Sequence, residues 1–151
     1  MPSLWDVHTA EQTLARLNRL DPGSVPRWGR FTAPAMLCHL GDALRQAVGD
    51  VQVPPVRDSP YRGAIVRWLA IHVLPIPRGR LDAPPFMLVT QPSSWELDLF
   101  ALKELVHRGV ARAADPAAPW PDNVLFGPLS AHDWGVLQWR HCDHHLRQFN
   151  A

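Results

Sequence analysis

Proline sets the frame for this chain. Its sixteen prolines gather mainly in three stretches, 54–60, 75–92 and 116–128. A proline lacks the amide hydrogen that a helix or sheet ladder needs, and its ring clashes with the preceding helical turn. Regular structure must therefore lie between these stretches. The intervening segments carry apolar residues at helical spacing, so the chain reads as helical blocks joined by stiff loops.

Five blocks result. In Thr9–Leu20, Leu14, Leu17 and Leu20 recur at helical spacing; Thr9 with Gln12 forms a capping-box pattern, and Asp21-Pro22-Gly23 ends the block. From Thr32 to Val48, Thr32 is a good cap and Pro34 fits the first turn. Met36, Leu40, Ala43, Leu44 and Ala47 form its stripe, and Gly49 closes it. Tyr61–Leu74 is a weaker helix. The fourth block starts at Ser93 or Ser94, with Ser93-x-x-Glu96 as a capping box, and fades at Ala113. The last is Ser130–Phe149, with Asp133 in its first turn. Only Phe86–Thr90 looks β-like, and it is short. The expected class is all-α, a helix bundle.

The bulk properties narrow the function. A chain of 151 residues fits one domain with one core. A net charge of +1, with basic residues dispersed, gives no nucleic-acid footprint. The most apolar run, Ala64–Ile76, is too short to cross a bilayer and includes Arg67 and His72; it reads as a buried or partly buried helix. Two cysteines make no disulfide framework, and the first residues lack the pattern of a secretory signal, so a cytoplasmic location is expected.

The chemistry is concentrated in His141-Cys142-Asp143-His144-His145. Residues four apart on a helix share a face, with Cβ atoms roughly 5–6 Å apart, so His141 and His145 can reach one metal ion. They share that face with Trp134, Leu137 and Gln148. A third ligand must come from elsewhere, and His39, inward between Met36 and Ala43, is the best candidate. His144 could replace His145, although the period favours 141 with 145. His8, His72, His107 and His132 have no spacing partner and read as local structure. Cys38 and Cys142 adjoin the proposed ligands but read as small buried thiols. Asp42 and Asp143 could each orient an imidazole or be solvated charges.

Two stretches carry a family resemblance. One is Trp28-Gly29-Arg30-Phe31-Thr32-Ala33-Pro34-Ala35-Met36-Leu37-Cys38-His39-Leu40. The other runs from Phe126-Gly127-Pro128-Leu129-Ser130 through Trp134-Gly135 and Leu137-Gln138 to His141-Cys142-Asp143-His144-His145-Leu146-Arg147-Gln148-Phe149. Together they resemble the DinB-like superfamily, in particular a branch known as a DinB-like domain of unknown function. The resemblance follows nearly the whole chain in order and length. It implies a single DinB-like four-helix bundle over residues 1–151, with long Pro-rich connecting loops. It also implies a divalent metal on three histidines with open positions, which in this chain are His39, His141 and His145. Some members are S-transferases that use bacterial low-molecular-weight thiols; others are described as hydrolases or isomerases. Two adjacent positions depart from the branch: Asn123-Val124 stands where a His-Pro pair is common.

The expected function is thus a metal-dependent enzyme acting on a small molecule. A three-histidine centre with zinc, nickel, iron or manganese would activate a thiol or water, giving S-transfer or hydrolysis. A low-molecular-weight thiol is the implied cosubstrate, and Arg30, Arg78 and Arg80 are loop cations that could hold it if it is anionic. Trp28, Trp68, Trp120, Phe86 and Phe126 are candidates for a pocket near the metal or for core. No His-Glu-x-x-His motif is present, so the alternative is a non-catalytic bundle that binds a metal, a small molecule or a partner. The apolar, aromatic-rich helices suggest a homodimer, with no nucleic acid and no membrane as partners.

Overall fold

The computed structural model describes residues 1–79 and 83–151. It is all-helical: α1 (Val7–Leu17), α2 (Ala33–Ala47), α3 (Ala64–His72), α4 (Trp95–Ala113) and α5 (Ala131–Gln148). Short 3-10 turns lie at Pro60–Arg62 and Pro85–Met87. The described residues contain no strand. Phe86–Thr90 contributes to the second 3-10 turn and an irregular segment after it.

The helices begin where side chains can take up the unpaired amides of the first turn. Thr32 caps α2, Ser94 caps α4 and Ser130 caps α5, each hydroxyl accepting from the amide three residues on. Two expected caps differ. Helix α1 starts earlier, because the Asp6 carboxylate accepts both the amide and the hydroxyl of Thr9. Thr9 is a donor inside the first turn, and the carboxylate also suits the positive end of the helix dipole. At α4, Ser93 binds Asp98 through its amide and hydroxyl, so it forms no box with Glu96.

Helix α2 is the centre of the fold. Twelve of its fifteen residues are buried, and it packs on both α4 and α5 and on the Pro85–Met87 turn. Helix α1 closes over α4 and α5. Burying almost a whole helix also buries its polar residues His39, Asp42 and Gln46, and burying a polar group without a partner is unfavourable. The partners of the first two build the site described below.

Helix α3 differs from expectation. Only Ile71 is buried, while Ile65, Val66 and Trp68 are exposed. Arginines hold it in place. Arg140 of α5 donates to the carbonyls of Ala70, Ile71 and Leu74. Arg67 of α3 donates to the carbonyls of Phe126 and Pro128. The N-terminal segment is fixed by Trp5, which packs against Gly109 of α4 and Gly135 of α5 and stacks on Trp120 at 5.6 Å. A Cβ at either glycine would collide with the indole.

Candidate metal centre

Helix α2 brings in His39, and α5 brings in His141 and His145. One nitrogen from each of the three rings can be chosen so that all lie within 4.8 Å of one another. His39 Nε2 lies 2.9 Å from His141 Nε2. The ring centroids are 4.8 Å apart for 39 and 141, 4.9 Å for 39 and 145, and 5.0 Å for 141 and 145. His39 and His145 are buried and His141 is half-buried.

Two of the rings are held by their other nitrogens. His39 Nδ1 lies 3.0 Å from the carbonyl of Met87. A carbonyl only accepts, so Nδ1 carries the proton and Nε2 keeps a bare lone pair. His145 Nδ1 lies 2.8 Å from Gln148 Oε1. The Gln148 amide is itself oriented, because its Nε2 donates to the carbonyl of Trp28 at 2.6 Å. Nδ1 of His145 therefore also carries the proton, and its Nε2 has no hydrogen-bond partner among the described residues. Both rings aim basic nitrogens at the space they share with His141, as metal-binding histidines do.

Burial keeps the rings neutral. It lowers the pKa of His39, offset in part by the Met87 carbonyl. It lowers His145 to about 3, against a partial opposing effect of Gln148. His141 falls well below the usual imidazole value, first by burial and then by the neighbouring His145 and His39. With His39 Nε2 bare, the 2.9 Å contact has His141 Nε2–H donating to it, and a cation would displace that proton; three neutral imidazoles so placed can hold a divalent cation and would leave it open positions.

The surroundings separate what was legible in the sequence from what was not. Asp42 does not touch an imidazole. Its carboxylate accepts from the amides of Val89 and Thr90 at 2.8 and 3.0 Å, and from the Thr90 hydroxyl and Arg45. It thereby pins the segment that carries the Met87 carbonyl. Asp143 is ion-paired with Arg16 and Arg147, each at 2.8 Å. His144 is outside the cluster and stands edge-on to Trp28 and to His145. The Cys38 and Cys142 thiols are pushed up to about 11 and about 12, chiefly by burial, so both stay protonated.

Phe31 is the aromatic residue that packs on the centre. It stacks on His39 at 4.9 Å and meets His145 edge-on at 5.5 Å. It directly precedes the cap Thr32, a position where apolar residues commonly pack back on the helix. The five aromatics singled out from sequence make no ring contact with the three imidazoles. Trp120 stacks on Trp5, Phe126 packs with Tyr61, Trp68 is exposed beside His72, and Phe86 lines a separate cavity with Gln46. Trp28 reaches the centre only through its carbonyl. Of the loop cations, Arg30 is exposed, Arg78 lies over Trp28, and Arg80 is outside the described residues. Asn123 has a local role, its side chain accepting the amides of Leu125 and Phe126 to form the turn before Gly127. His72 pairs with Asp133 at 2.8 Å.

No family model, no curated protein and no solved structure matches this chain. No helix among the described residues is long and apolar enough to cross a membrane.

Proposed function

We propose that the chain is a metal-dependent enzyme of the DinB-like type, its bundle formed by α1, α2, α4 and α5 with long Pro-rich connections. His39, His141 and His145 would hold one divalent cation, drawn from zinc, nickel, iron and manganese. The observation that supports this most directly is the forced protonation of two rings. Nδ1–H of His39 and of His145 are both spent on oxygen acceptors, which leaves the Nε2 lone pairs of both rings turned inward, that of His39 toward His141 Nε2 at 2.9 Å.

A cation bound there supplies Lewis acidity and makes a coordinated thiol or water more acidic. The protein's own residues fix the rings, through Met87, Gln148 and the stacked Phe31, and limit water at the buried side. The reaction class is S-transfer from a low-molecular-weight thiol to a small electrophile, or hydrolysis. Two free cysteines suit a reducing cytoplasm, and the exposed apolar residues of α3 suit a homodimer.

One observation favours a second reading. Asp42 and Asp143, the acidic groups nearest in sequence to the ligands, are both committed elsewhere, so neither is placed as a general base. A metal-binding module without turnover would have this arrangement. The two readings separate on protein purified without a chelating tag: metal content by mass spectrometry, then turnover of a model electrophile with and without added thiol. Stoichiometric metal with turnover supports the enzyme. Stoichiometric metal without turnover supports the module, and absence of metal binding removes both.

A further inference from the structure

A cavity of about 200 Å³ lies against α5 on the side of His144. Trp28, Arg78, Arg140, Asp143, His144 and Arg147 are in its wall, with Pro75 and Ile76 adding apolar surface. Three guanidinium groups thus face one carboxylate. That carboxylate is already neutralised, since Asp143 pairs with Arg16 from outside the cavity as well as with Arg147. Arg140 is occupied by the carbonyls at the end of α3. Arg78 is exposed and its guanidinium lies 4.6 Å from the centre of the Trp28 ring. The Trp28 indole N–H is buried without an acceptor among the described residues.

An excess of fixed positive charge against an aromatic wall selects a particular ligand. A guanidinium stacked on an indole keeps its in-plane N–H groups free to pair with a planar oxyanion through parallel hydrogen bonds, and Pro75 and Ile76 supply apolar surface for a ring. The volume is below the roughly 300 Å³ at which drug-sized pockets begin, so a one-ring fragment is the scale.

We infer that this cavity is a subsite for the carboxylate of a small ring-bearing molecule, with Arg78 as its ion-pair partner and Trp28 as its wall. The place of the subsite explains its use. His144 joins the cavity to the centre, its ring 5.1 Å from that of His145, and Trp28 supplies the carbonyl that holds Gln148. A role in presenting substrate rests on the metal-centre reading, but binding itself needs no cation.

Metal-depleted protein is therefore titrated with benzoate, benzyl alcohol and inorganic phosphate, followed by chemical-shift changes of the tryptophan indole N–H signals. Trp28→Phe identifies the Trp28 signal. Saturable benzoate binding that moves it is expected, at least tenfold tighter than benzyl alcohol. Arg78→Ala should weaken benzoate at least tenfold and Arg78→Lys by less. Binding unchanged in Arg78→Ala, or no saturable benzoate binding to the unmutated protein, would overturn the inference. Benzoate binding no tighter than phosphate would overturn the assignment to an organic carboxylate. Loss of metal binding in the histidine variants, by contrast, would leave these results unaffected.

Discussion

His39 donates its Nδ1–H to the main-chain carbonyl of Met87, a residue 48 positions away, across 3.0 Å. The bond links a buried helix to an irregular segment, and Asp42, one turn after His39, holds that segment by two amides and a hydroxyl. Asp42 is thus a positioning residue acting through the backbone. Asp42→Ala should weaken metal binding about 10–100-fold, the usual range for a group that supports a ligand, with helical circular dichroism retained. A competition titration against a chromophoric chelator measures this; an unchanged affinity would show that the Met87 carbonyl is held without Asp42.

The ligand set is tested by single substitutions. His39→Ala and His141→Ala should each abolish stoichiometric metal binding and leave the chain helical. His144→Ala should leave stoichiometry intact, because its ring is outside the cluster. Normal metal content in both ligand variants would reject the centre.

Gln148 controls the tautomer of His145 from one helical turn away. In Gln148→Leu the Nδ1–H loses its acceptor, and either nitrogen can carry the proton. Metal affinity should fall at least tenfold, while Gln148→Glu, which keeps an acceptor at that position, should retain more of it. Equal affinity in the two variants would argue against the hydrogen bond as the cause.

Acid should destabilise the metal-free protein through these rings. His145 has a folded-state pKa of about 3 against an ordinary 6.5, and His39 and His141 move the same way. Between those values the unfolded chain binds more protons than the folded one, so stability falls as pH is lowered from about 6.5 toward 3. Urea midpoints measured across that window should decline with acid, and the decline should be smaller in a His39→Ala/His145→Ala variant. A parallel decline in that variant would assign the effect to other groups.

Packing at Trp5 gives a stability prediction independent of the metal. A methyl group added at Gly135 or Gly109 meets the indole, and overpacking of this kind costs about 1–3 kcal/mol. Gly135→Ala should lower the thermal midpoint, whereas Gly49→Ala adds a methyl that meets nothing; its only burden is the positive φ of 84°. A smaller loss for Gly135→Ala than for Gly49→Ala would contradict the close contact.

The helices and the histidine triad were legible for one reason: both depend on periodicity. Apolar spacing and capping residues located α2, α4 and α5 to within a residue or two. A four-residue interval put His141 and His145 on one face. The supporting contacts do not follow from spacing. The carbonyls of Met87 and Trp28 have no side-chain signature, and a loop must fold back before they meet His39 and Gln148. Asp42 was visible as a polar group on a buried helix, but apart from Arg45 its partners, Val89 and Thr90, lie on the segment after Met87. Helix α3 misled for a related reason: its apolar sequence suggested burial, yet the arginines that attach it leave Ile65, Val66 and Trp68 exposed.

The Trp5 contact also bears on the order in which the fold can close. Its indole needs Gly109 and Gly135 on both sides, and the Leu4 amide donates to the Gly135 carbonyl. The segment carrying Leu4 and Trp5 therefore cannot find its native place until α5 has been synthesised. His39 must wait just as long for His141 and His145. The three imidazoles therefore converge only when α5 docks on α2, so formation of the candidate centre is coupled to the packing of that helix.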